Sequence, residues 1–304
     1  MSINLSEEVR NDYVISSKMK KVWSIQLELL DKILQVCQKY NLRIWVEGGT
    51  LLGTIREHGY IPWDDDIDLI MFRDDYNKLL EVAPKEIKSP YFFQNAYTDK
   101  KYYYGHSQLR KDGTSAILPY NIQNSFHLGI FIDIFVMDQM PKDKSYLIRA
   151  FFRGEVLRKI LIYSSMSYDG QSPKRCILIL IAKLYTSLFG YVKTYKMMEK
   201  VYSGYECPLC NEYSLPIVYP AVSFLIRRNK EWYEKTIYMP FEDMQVPVPS
   251  GYDDILKQQY GEYMKPVKAP SSHGDYLVLD PERSYTEYLP ELRKKLKTKM
   301  EGFL

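Results

Sequence analysis

The chain has 304 residues, of which 46% are hydrophobic and 26% charged, and its formal net charge is +3. These values are ordinary for a globular protein that buries a core, and the length suits one large domain or two small ones. The small net charge, together with the lack of any long run of lysine and arginine, argues against a nucleic-acid-binding surface.

Cysteine content and the N-terminal residues give two further expectations. Four cysteines are too few for a disulfide framework. Cys207 and Cys210 have zinc-knuckle spacing, but no second such pair or paired histidines lie nearby, so a structural zinc site is disfavoured. The first residues, MSINLSEEVRNDY, have neither the apolar region of a signal peptide nor a membrane anchor, which favours a cytoplasmic location.

The first predicted element is an amphipathic helix over Lys18–Tyr40, where apolar residues recur at steps of three and four. A short strand is predicted over Arg43–Glu47. Gly48 and Gly49 then permit a tight turn, because glycine reaches positive φ without steric cost. Thr50 is the expected N-cap of a short helix that follows.

An acidic cluster comes next, formed by Asp64, Asp65, Asp66 and Asp68 ahead of the apolar run Leu69–Phe72. A strand beginning inside the cluster would place Asp66 and Asp68 on one face, joined by Asp64, with Asp65 pointing away. Crowded carboxylates repel one another unless a cation lies between them, and Mg²⁺ or Mn²⁺ suits such oxygen ligands. The alternative is a solvated acidic turn. The preceding Gly-Gly turn and helix favour the metal site.

This stretch resembles the signature of the LicD family. The matching residues are Gly48, Gly49, Thr50, Gly53, Arg56, Gly59 and the run from Ile61 to Asp68. The family belongs to the nucleotidyltransferase-fold superfamily and includes bacterial phosphocholine transferases, with fukutin-related proteins as relatives. The resemblance implies an α/β (α+β) fold, in which helices flank a mixed β-sheet core and a helical region is inserted or appended.

Further elements are predicted after the acidic cluster. A helix capped by Asp74 is expected to end at Pro84. Strands are expected over Tyr91–Asn95 and Tyr102–Lys111, before a turn at Asp112 and Gly113. Arg110 is a candidate contact for a diphosphate, since positive charge is needed where a phosphoryl group moves. The alternative is that Arg110 is a solvated charge on an edge strand. For the neighbouring Lys111 this alternative is preferred.

The segment Gly129–Asp138 is nearly all apolar, as in a strand covered on both faces. Asp133 interrupts it, and a buried carboxylate is costly unless it is paired or binds a metal. The family resemblance implies a third carboxylate on a strand of this kind. The alternative is an aspartate satisfied by backbone donors. His127, just ahead of the strand, is assigned a structural role.

Residues 144–200 change to helical character, with segments over Tyr146–Met166 and Lys174–Lys200. The second contains Cys176–Val192, which is apolar except for Lys183. It is short for a membrane span. Burial is preferred to a position on a membrane surface, although peripheral association with the inner face of the membrane is kept as an alternative.

The C-terminal part is predicted to hold strands over Asn211–Pro249 and a helix within Ser250–Val267. Its Tyr-Gly-Glu-Tyr motif resembles a LicD-family element, and Ser272 and His273 follow where the family often has a histidine. The predicted units are a catalytic core at 1–143, a helical region at 144–210, and a C-terminal segment at 211–304 that packs back on the core.

The resemblance implies metal-dependent transfer of a phospho-alcohol from a CDP-alcohol to a hydroxyl of a cell-surface glycan or its lipid-linked precursor. The catalytic candidates are Asp66, Asp68 and Asp133. The same three residues and Asp64 are the metal-binding candidates. The donor-binding candidates are Gly48, Gly49, Thr50, Arg56 and Arg110. The alternatives are transfer of NMP from an NTP, transfer of glycerol or ribitol phosphate, and a glycan- or membrane-binding protein with a degenerate site.

Aromatic residues near the acidic cluster favour CDP-choline as the donor, because a quaternary ammonium is held against aromatic faces. The rings in question are Trp45, Tyr60, Trp63, Tyr102, Tyr103 and Tyr104. Core packing is the alternative for each ring and is preferred for Trp45. Tyr103 and Trp63 are the two expected to face a pocket.

Overall fold

A computed structural model describes residues 3–205, 211–217, 226–268 and 275–301. The helices described are α1 (Ser17–Lys39), α2 (Gly48–Arg56), α3 (Arg73–Glu86), α4 (Lys144–Ser165), α5 (Pro173–Phe189), α6 (Tyr191–Ser203), α7 (Tyr252–Tyr260) and α8 (Tyr285–Glu301). The strands described are β1 (Glu8–Arg10), β2 (Tyr13–Ile15), β3 (Trp45–Val46), β4 (Asp68–Phe72), β5 (Tyr91–Gln94), β6 (Ser107–Lys111), β7 (Ser115–Ile117), β8 (Phe131–Gln139), β9 (Glu212–Ser214), β10 (Arg228–Asn229), β11 (Thr236–Phe241), β12 (Met244–Pro249) and β13 (Val278–Asp280).

The main sheet has seven strands and is built around β8. Strand β4 pairs with β8 in parallel and continues to β3, which is antiparallel to β4. The other edge of β8 is shared by β6 and β9, both antiparallel. Strands β5 and β10 extend these two branches. The mixed α/β sheet predicted from the family resemblance is confirmed.

Helix α1 packs its apolar face into the core, and Trp23, Leu27, Leu30 and Ile33 are almost fully buried there. Ser16 caps the helix by accepting a hydrogen bond from the Met19 N–H. This helix matches its predicted bounds within one residue at each end. The sequence pattern of α1 is clear because every turn of the helix places an apolar side chain in the core.

Several predicted boundaries are wrong, and each has a local cause. Helix α2 begins at Gly48 with Glu47 as N-cap, so Thr50 lies inside the helix. Helix α3 passes through Pro84 and ends at Glu86. Strand β6 begins only at Ser107, because the preceding tyrosines belong to an aromatic cluster rather than to the sheet ladder.

The helical region also differs from its prediction. The expected second helix is divided at Gly190, where φ is +84°, into α5 and α6, which are bent by 94°. Burial of the apolar stretch 176–192 was wrong: on α5 only Ile179 and Ala182 are buried. In the described residues no single helix is long and apolar enough to cross a membrane, whereas α5 and α6 together pass that test by length and composition alone.

The three predicted units are not tested by the architecture and stay a prediction. The zinc-knuckle pair Cys207 and Cys210, and the Ser272–His273 dipeptide, lie outside the described residues. Of the other cysteines, Cys37 is buried and Cys176 partly buried, and both are free thiols.

Candidate active site

The parallel pairing of β4 and β8 brings two predicted site residues side by side. Asp68 and Asp133 are direct partners in the register of the two strands. Paired residues of neighbouring strands project on the same face, so these carboxylates share one side of the sheet. The Asp133 N–H also donates to the Ile67 carbonyl at 2.8 Å, which continues the ladder to the end of the acidic segment.

The other aspartates lie on an extended segment that enters β4 without belonging to it. Helix α1 holds this segment: Trp23 Nε1 donates to the Asp64 carbonyl at 3.0 Å, and Gln26 Nε2 donates to the Asp65 carbonyl at 2.7 Å. Carboxylate oxygens of Asp64, Asp65 and Asp66 come within 4.8 Å of one another. The expectation that Asp65 points away from its neighbours is therefore wrong, because strand alternation does not govern residues outside the ladder.

The first turn of α2 closes over this cluster, and its glycines leave room for the carboxylates. A Cβ atom on Gly49 would lie 2.6 Å from Asp64 Oδ2, and one on Gly48 would lie 3.1 Å from Asp68 Oδ2. Gly48 also has φ of +54°, a conformation that favours glycine. The Gly-Gly pair thus lets a helix N-terminus approach acidic side chains closely.

Burial, together with electrostatic repulsion within the cluster, raises several pKa values. Burial, followed by the charge of Asp65, raises the pKa of Asp64 to about 6. Burial, followed by the charge of Asp68, raises the pKa of Asp66, and burial with the charge of Asp133 raises that of Asp68. The side chains of Asp64, Asp66 and Asp68 are half-buried. Part of each carboxylate therefore remains accessible to a ligand.

Asp133 is held by two side chains of the β6 region that sequence reasoning did not single out. His106 Nε2 lies 3.0 Å from Asp133 Oδ1, and Gln108 Nε2 donates to the same oxygen at 2.7 Å. His106 Nδ1 is buried and has no hydrogen-bond partner in the described structure. Gln108 faces Asp133 across the β6–β8 pair, and no local pattern in the sequence encodes that pairing.

Arg110 is not placed to meet a diphosphate directly, which corrects its predicted role. Its side chain is almost fully buried over the ring of Phe131. Its nitrogens donate to Gln94 Oε1, to the Gly129 carbonyl and to Gln108 Oε1. Burial lowers the pKa of the Arg110 guanidinium. Arg110 therefore acts on the site through Gln108, whose amide it orients towards Asp133.

Thr50 and Arg56 make contacts within the protein, and their predicted use as donor contacts stays a prediction. Thr50 is buried, and its Oγ1 accepts the Asp68 N–H at 2.9 Å, so it positions β4. Arg56 donates to Glu57 Oε1 at 2.7 Å and to the Tyr263 carbonyl at 3.1 Å. These contacts tie α2 to the segment that follows α7.

Two further groups border the acidic cluster and were not among the predicted site residues. Glu47, directly before α2, is buried and paired with Arg228, and it accepts Gln259 Nε2 at 2.9 Å. The Tyr260 phenol approaches Gly48, and burial and the charge of Glu47 raise its pKa. Tyr260 is the first residue of the Tyr-Gly-Glu-Tyr motif. The motif that resembles the LicD family therefore contains a residue that lies beside the acidic cluster.

The donor set fits a hard divalent cation. Carboxylate oxygens are the ligands that Mg²⁺ and Mn²⁺ prefer, and ligands on opposite sides of such an ion are separated by about 4 Å. Three carboxylates within 4.8 Å of one another meet that requirement. The charged neighbours that act most strongly on Asp68 are four other carboxylates, namely Asp133, Asp64, Glu47 and Asp65, so a cation at this point would relieve repulsion.

Comparison with known proteins assigns this domain. Residues 41–155 match the family model described as LicD/FKTN/FKRP, nucleotidyltransferase domain. This segment includes the Gly-Gly turn, the acidic cluster and β8 with Asp133. The chain contains a LicD-family domain. The predicted resemblance to the LicD family is therefore confirmed over residues 41–155.

Individual relatives agree with the LicD assignment. The chain is 29% identical over 241 residues to the lipopolysaccharide cholinephosphotransferase LicD of Haemophilus influenzae, covering 79% of this chain and 88% of that protein. It is 42% identical over 57 residues to the human ribitol 5-phosphate transferase FKRP, which is 19% of this chain and 12% of that protein. An uncharacterized protein of Rickettsia prowazekii is 30% identical over 144 residues, 47% of this chain and 49% of its own length. The first two of these relatives are named as phospho-alcohol transferases, and the homology supports an enzyme of that class.

Proposed function

We propose that this protein transfers phosphocholine from CDP-choline to a hydroxyl of a cell-surface glycan or its lipid-linked precursor, with Mg²⁺ or Mn²⁺ bound in the acidic cluster. The observation that carries the proposal is that carboxylate oxygens of Asp64, Asp65 and Asp66 lie within 4.8 Å of one another, next to Asp68 and its strand partner Asp133, with the first turn of α2 against Asp64 and Asp68. The similarity to a cholinephosphotransferase over most of the chain supports the donor class.

The reaction exchanges one phosphorus–oxygen bond for another. The acceptor oxygen attacks the phosphorus that bears choline, the bond from that phosphorus to the CMP oxygen breaks, and CMP leaves. A bound divalent cation would supply charge neutralisation for the donor diphosphate. The protein has to place the acceptor in line and remove its proton.

Asp133 is our candidate for the proton acceptor. It is half-buried at the centre of the sheet, with its Oδ1 held by His106 and Gln108. These contacts fix the carboxylate orientation, and both use Oδ1 in the described part of the chain, so we assign the acceptor hydroxyl to Oδ2. The N–H groups at the start of α2 would favour the negative phosphate, because a helix N-terminus carries partial positive charge.

Choline recognition is proposed for the aromatic cluster beside His106. Tyr104 lies 5.6 Å from the His106 ring, and Tyr103 packs on Tyr104 at 4.8 Å. Tyr120 is 56% exposed and interacts electrostatically with Tyr103. By contrast, Trp45, Tyr60 and Tyr102 are core residues with almost no exposure, so they do not supply open faces. Trp63 packs edge-on against Tyr13.

The test is a donor panel. The purified protein is incubated with Mg²⁺, a lipid-linked glycan and one of CDP-choline, CDP-ethanolamine, CDP-glycerol, CDP-ribitol or an NTP, and the release of CMP or pyrophosphate is followed. We expect the greatest kcat/KM with CDP-choline and a selective loss of that preference in Tyr103→Ala. A preference for CDP-ribitol would favour the polyol alternative, which the FKRP similarity supports, and pyrophosphate release from an NTP would indicate a nucleotidyltransferase.

A further inference from the structure

Helix α5 exposes an unusual amount of apolar surface. Ile177, Ile181, Leu184 and Leu188 recur at steps of four, three and four, so they form one stripe along the helix. Together with the flanking leucines and Phe189, the large apolar side chains of α5 that are exposed show between 45% and 81% of their surface. The two buried residues of the helix, Ile179 and Ala182, lie on the opposite side. Proteins that stay free in water rarely expose a contiguous patch of this kind.

Neighbouring helices add to this surface. On α4, Ile148, Phe152 and Val156 are exposed at steps of four. On α6, Val192 and Met197 are exposed. We define the outer face as the exposed apolar residues of α4, α5 and α6.

The charge of this region decides which partner suits the outer face. Residues 144–203 contain eleven lysines and arginines against three acidic residues, while the rest of the chain contains 30 basic and 35 acidic residues. Helix α5 itself has no aspartate or glutamate, and Lys174 and Arg175 are exposed at its start. The lysine within its apolar stretch, Lys183, turns away from the stripe to lie 4.1 Å from the ring centre of Tyr168.

We propose that the outer face docks on an anionic lipid bilayer, with α5 lying in the plane of the interface. Apolar side chains flanked by lysine and arginine are the composition of helices that bind membrane surfaces, where lipid acyl chains cover the apolar stripe and anionic head groups attract the basic residues. The rest of the chain has more acidic than basic residues, so anionic lipids would repel it. This repulsion would turn the outer face towards the membrane. A protein partner or a second copy would be favoured by the apolar area alone, whereas the excess of positive charge favours lipid.

Docking would also orient the LicD domain. Tyr191 and Tyr195 of α6 donate through their hydroxyls to the carbonyls of Tyr102 and Tyr104, both at 3.0 Å. Ser165 at the end of α4 donates to the Lys101 carbonyl at 3.0 Å. The helices are thus attached to the segment that leads directly into His106 beside Asp133. Membrane docking of this kind does not depend on which donor the protein uses.

The test is sedimentation of the full chain with lipid vesicles. One set contains phosphatidylcholine alone and the other contains phosphatidylcholine mixed with phosphatidylglycerol. We expect binding to the anionic vesicles, weakened by added salt, and little binding to the neutral ones. The double substitution Ile181→Glu with Leu184→Glu should lower the partition coefficient at least about tenfold. The charge reversal Lys174→Glu with Arg175→Glu should lower binding to anionic vesicles selectively.

The control is Val9→Glu, which places one glutamate on another exposed apolar residue, 65% exposed on β1, far along the chain from the outer face. It should bind vesicles like the wild type. Circular dichroism melting checks that every variant folds. The proposal would be overturned if the wild-type protein did not bind anionic vesicles. It would also be overturned if the Ile181→Glu/Leu184→Glu protein bound them as well as the wild type does. A dimer that this double substitution dissociates, without vesicle binding, would instead identify the outer face as a contact between copies.

Discussion

At the scale of single residues, Asp66 and Asp68 have side chains that favour metal binding but lower the stability of the fold. Burial and neighbouring carboxylates raise both pKa values, so the ionised side chains destabilise the fold when no cation is present. A residue kept in such surroundings is typical of a functional site. Activity and stability should therefore respond in opposite directions when these charges are removed.

We expect Asp66→Asn and Asp68→Asn each to lower kcat/KM at least about a hundredfold, which is about 2.7 kcal/mol of transition-state stabilisation. Without metal, neither variant should melt below the wild type, because asparagine removes a repelling charge and little volume. Mg²⁺ should raise the melting temperature of the wild type and fail to do so in the variants. The exposed Asp74→Asn is the control and should behave like the wild type. Full activity in either site variant would refute the metal assignment.

Asp65 requires a revised expectation, since its carboxylate joins those of Asp64 and Asp66. Asp65→Asn should lower kcat/KM at least about tenfold, or about 1.4 kcal/mol. Steady-state assays of CMP release at saturating Mg²⁺ measure the effect. A value within twofold of the wild type would mean that this carboxylate lies in the cluster without contributing to the reaction.

Helix α2 shows what a single element contributes to the site. Its first turn approaches the acidic segment only because Gly48 and Gly49 have no side chains. The helix also carries Thr50, whose hydroxyl fixes the start of β4. The same turn of α2 thus positions the acidic segment and provides N–H groups that can bind a phosphate.

The substitution Gly49→Ala tests this arrangement. Its Cβ would fall 2.6 Å from Asp64 Oδ2, so the carboxylate has to move. We expect at least about a tenfold loss of kcat/KM, or about 1.4 kcal/mol. A double-mutant cycle with Asp64→Asn should show strong non-additivity, since both changes act on one carboxylate. Additive effects would indicate that Gly49 acts on the donor rather than on Asp64.

Ion pairs join distant parts of the chain at the scale of the whole molecule. Glu8 on β1 pairs with Lys20 of α1 at 2.6 Å, and Arg10 pairs with Glu242, between β11 and β12, at 2.6 Å. Glu242 Oε1 also accepts the Tyr60 N–H at 3.1 Å. This network holds the N-terminal hairpin and the β11–β12 hairpin against the core that carries the acidic segment.

Glu8→Gln should lower the free energy of unfolding by about 1 kcal/mol near neutral pH, because it leaves the buried Lys20 ammonium without a charged partner. The Arg10 hydrogen bond, followed by that of Lys20 against the opposing effect of burial, lowers the pKa of Glu8 to about 2. Its stabilisation is therefore complete above the unfolded pKa, near 4.5, and is lost as pH falls towards 2. The difference between variant and wild type should shrink over that range.

Urea unfolding at several pH values measures this difference. The control is Glu81→Gln, whose partner Lys78 is exposed on the same helix, and it should change stability by less than about 0.5 kcal/mol. A Glu8→Gln effect that is independent of pH below 4.5 would show that lost packing, rather than lost charge, is responsible.

Local pattern determined much of this protein by itself. The spacing of apolar residues predicted α1, the apolar run predicted β8 with Asp133 inside it, and the Gly-Gly turn with the aspartates indicated the LicD family. The two elements are encoded by neighbours in the chain, so periodicity and residue type are sufficient to find them, whereas the family follows from the resemblance to a known motif.

Only the tertiary structure decided which of these groups meet and which are covered. Asp65 joins the cluster because α1, far away in sequence, holds the acidic segment outside the sheet ladder. Arg110 is buried behind Gln108, and His106 reaches Asp133, through pairings that no local pattern encodes. Hydrophobicity predicted that α5 needs an apolar partner. Its exposure depends on whether other elements of the fold reach its outer side, and burial is a property of the assembled chain rather than of the helix sequence.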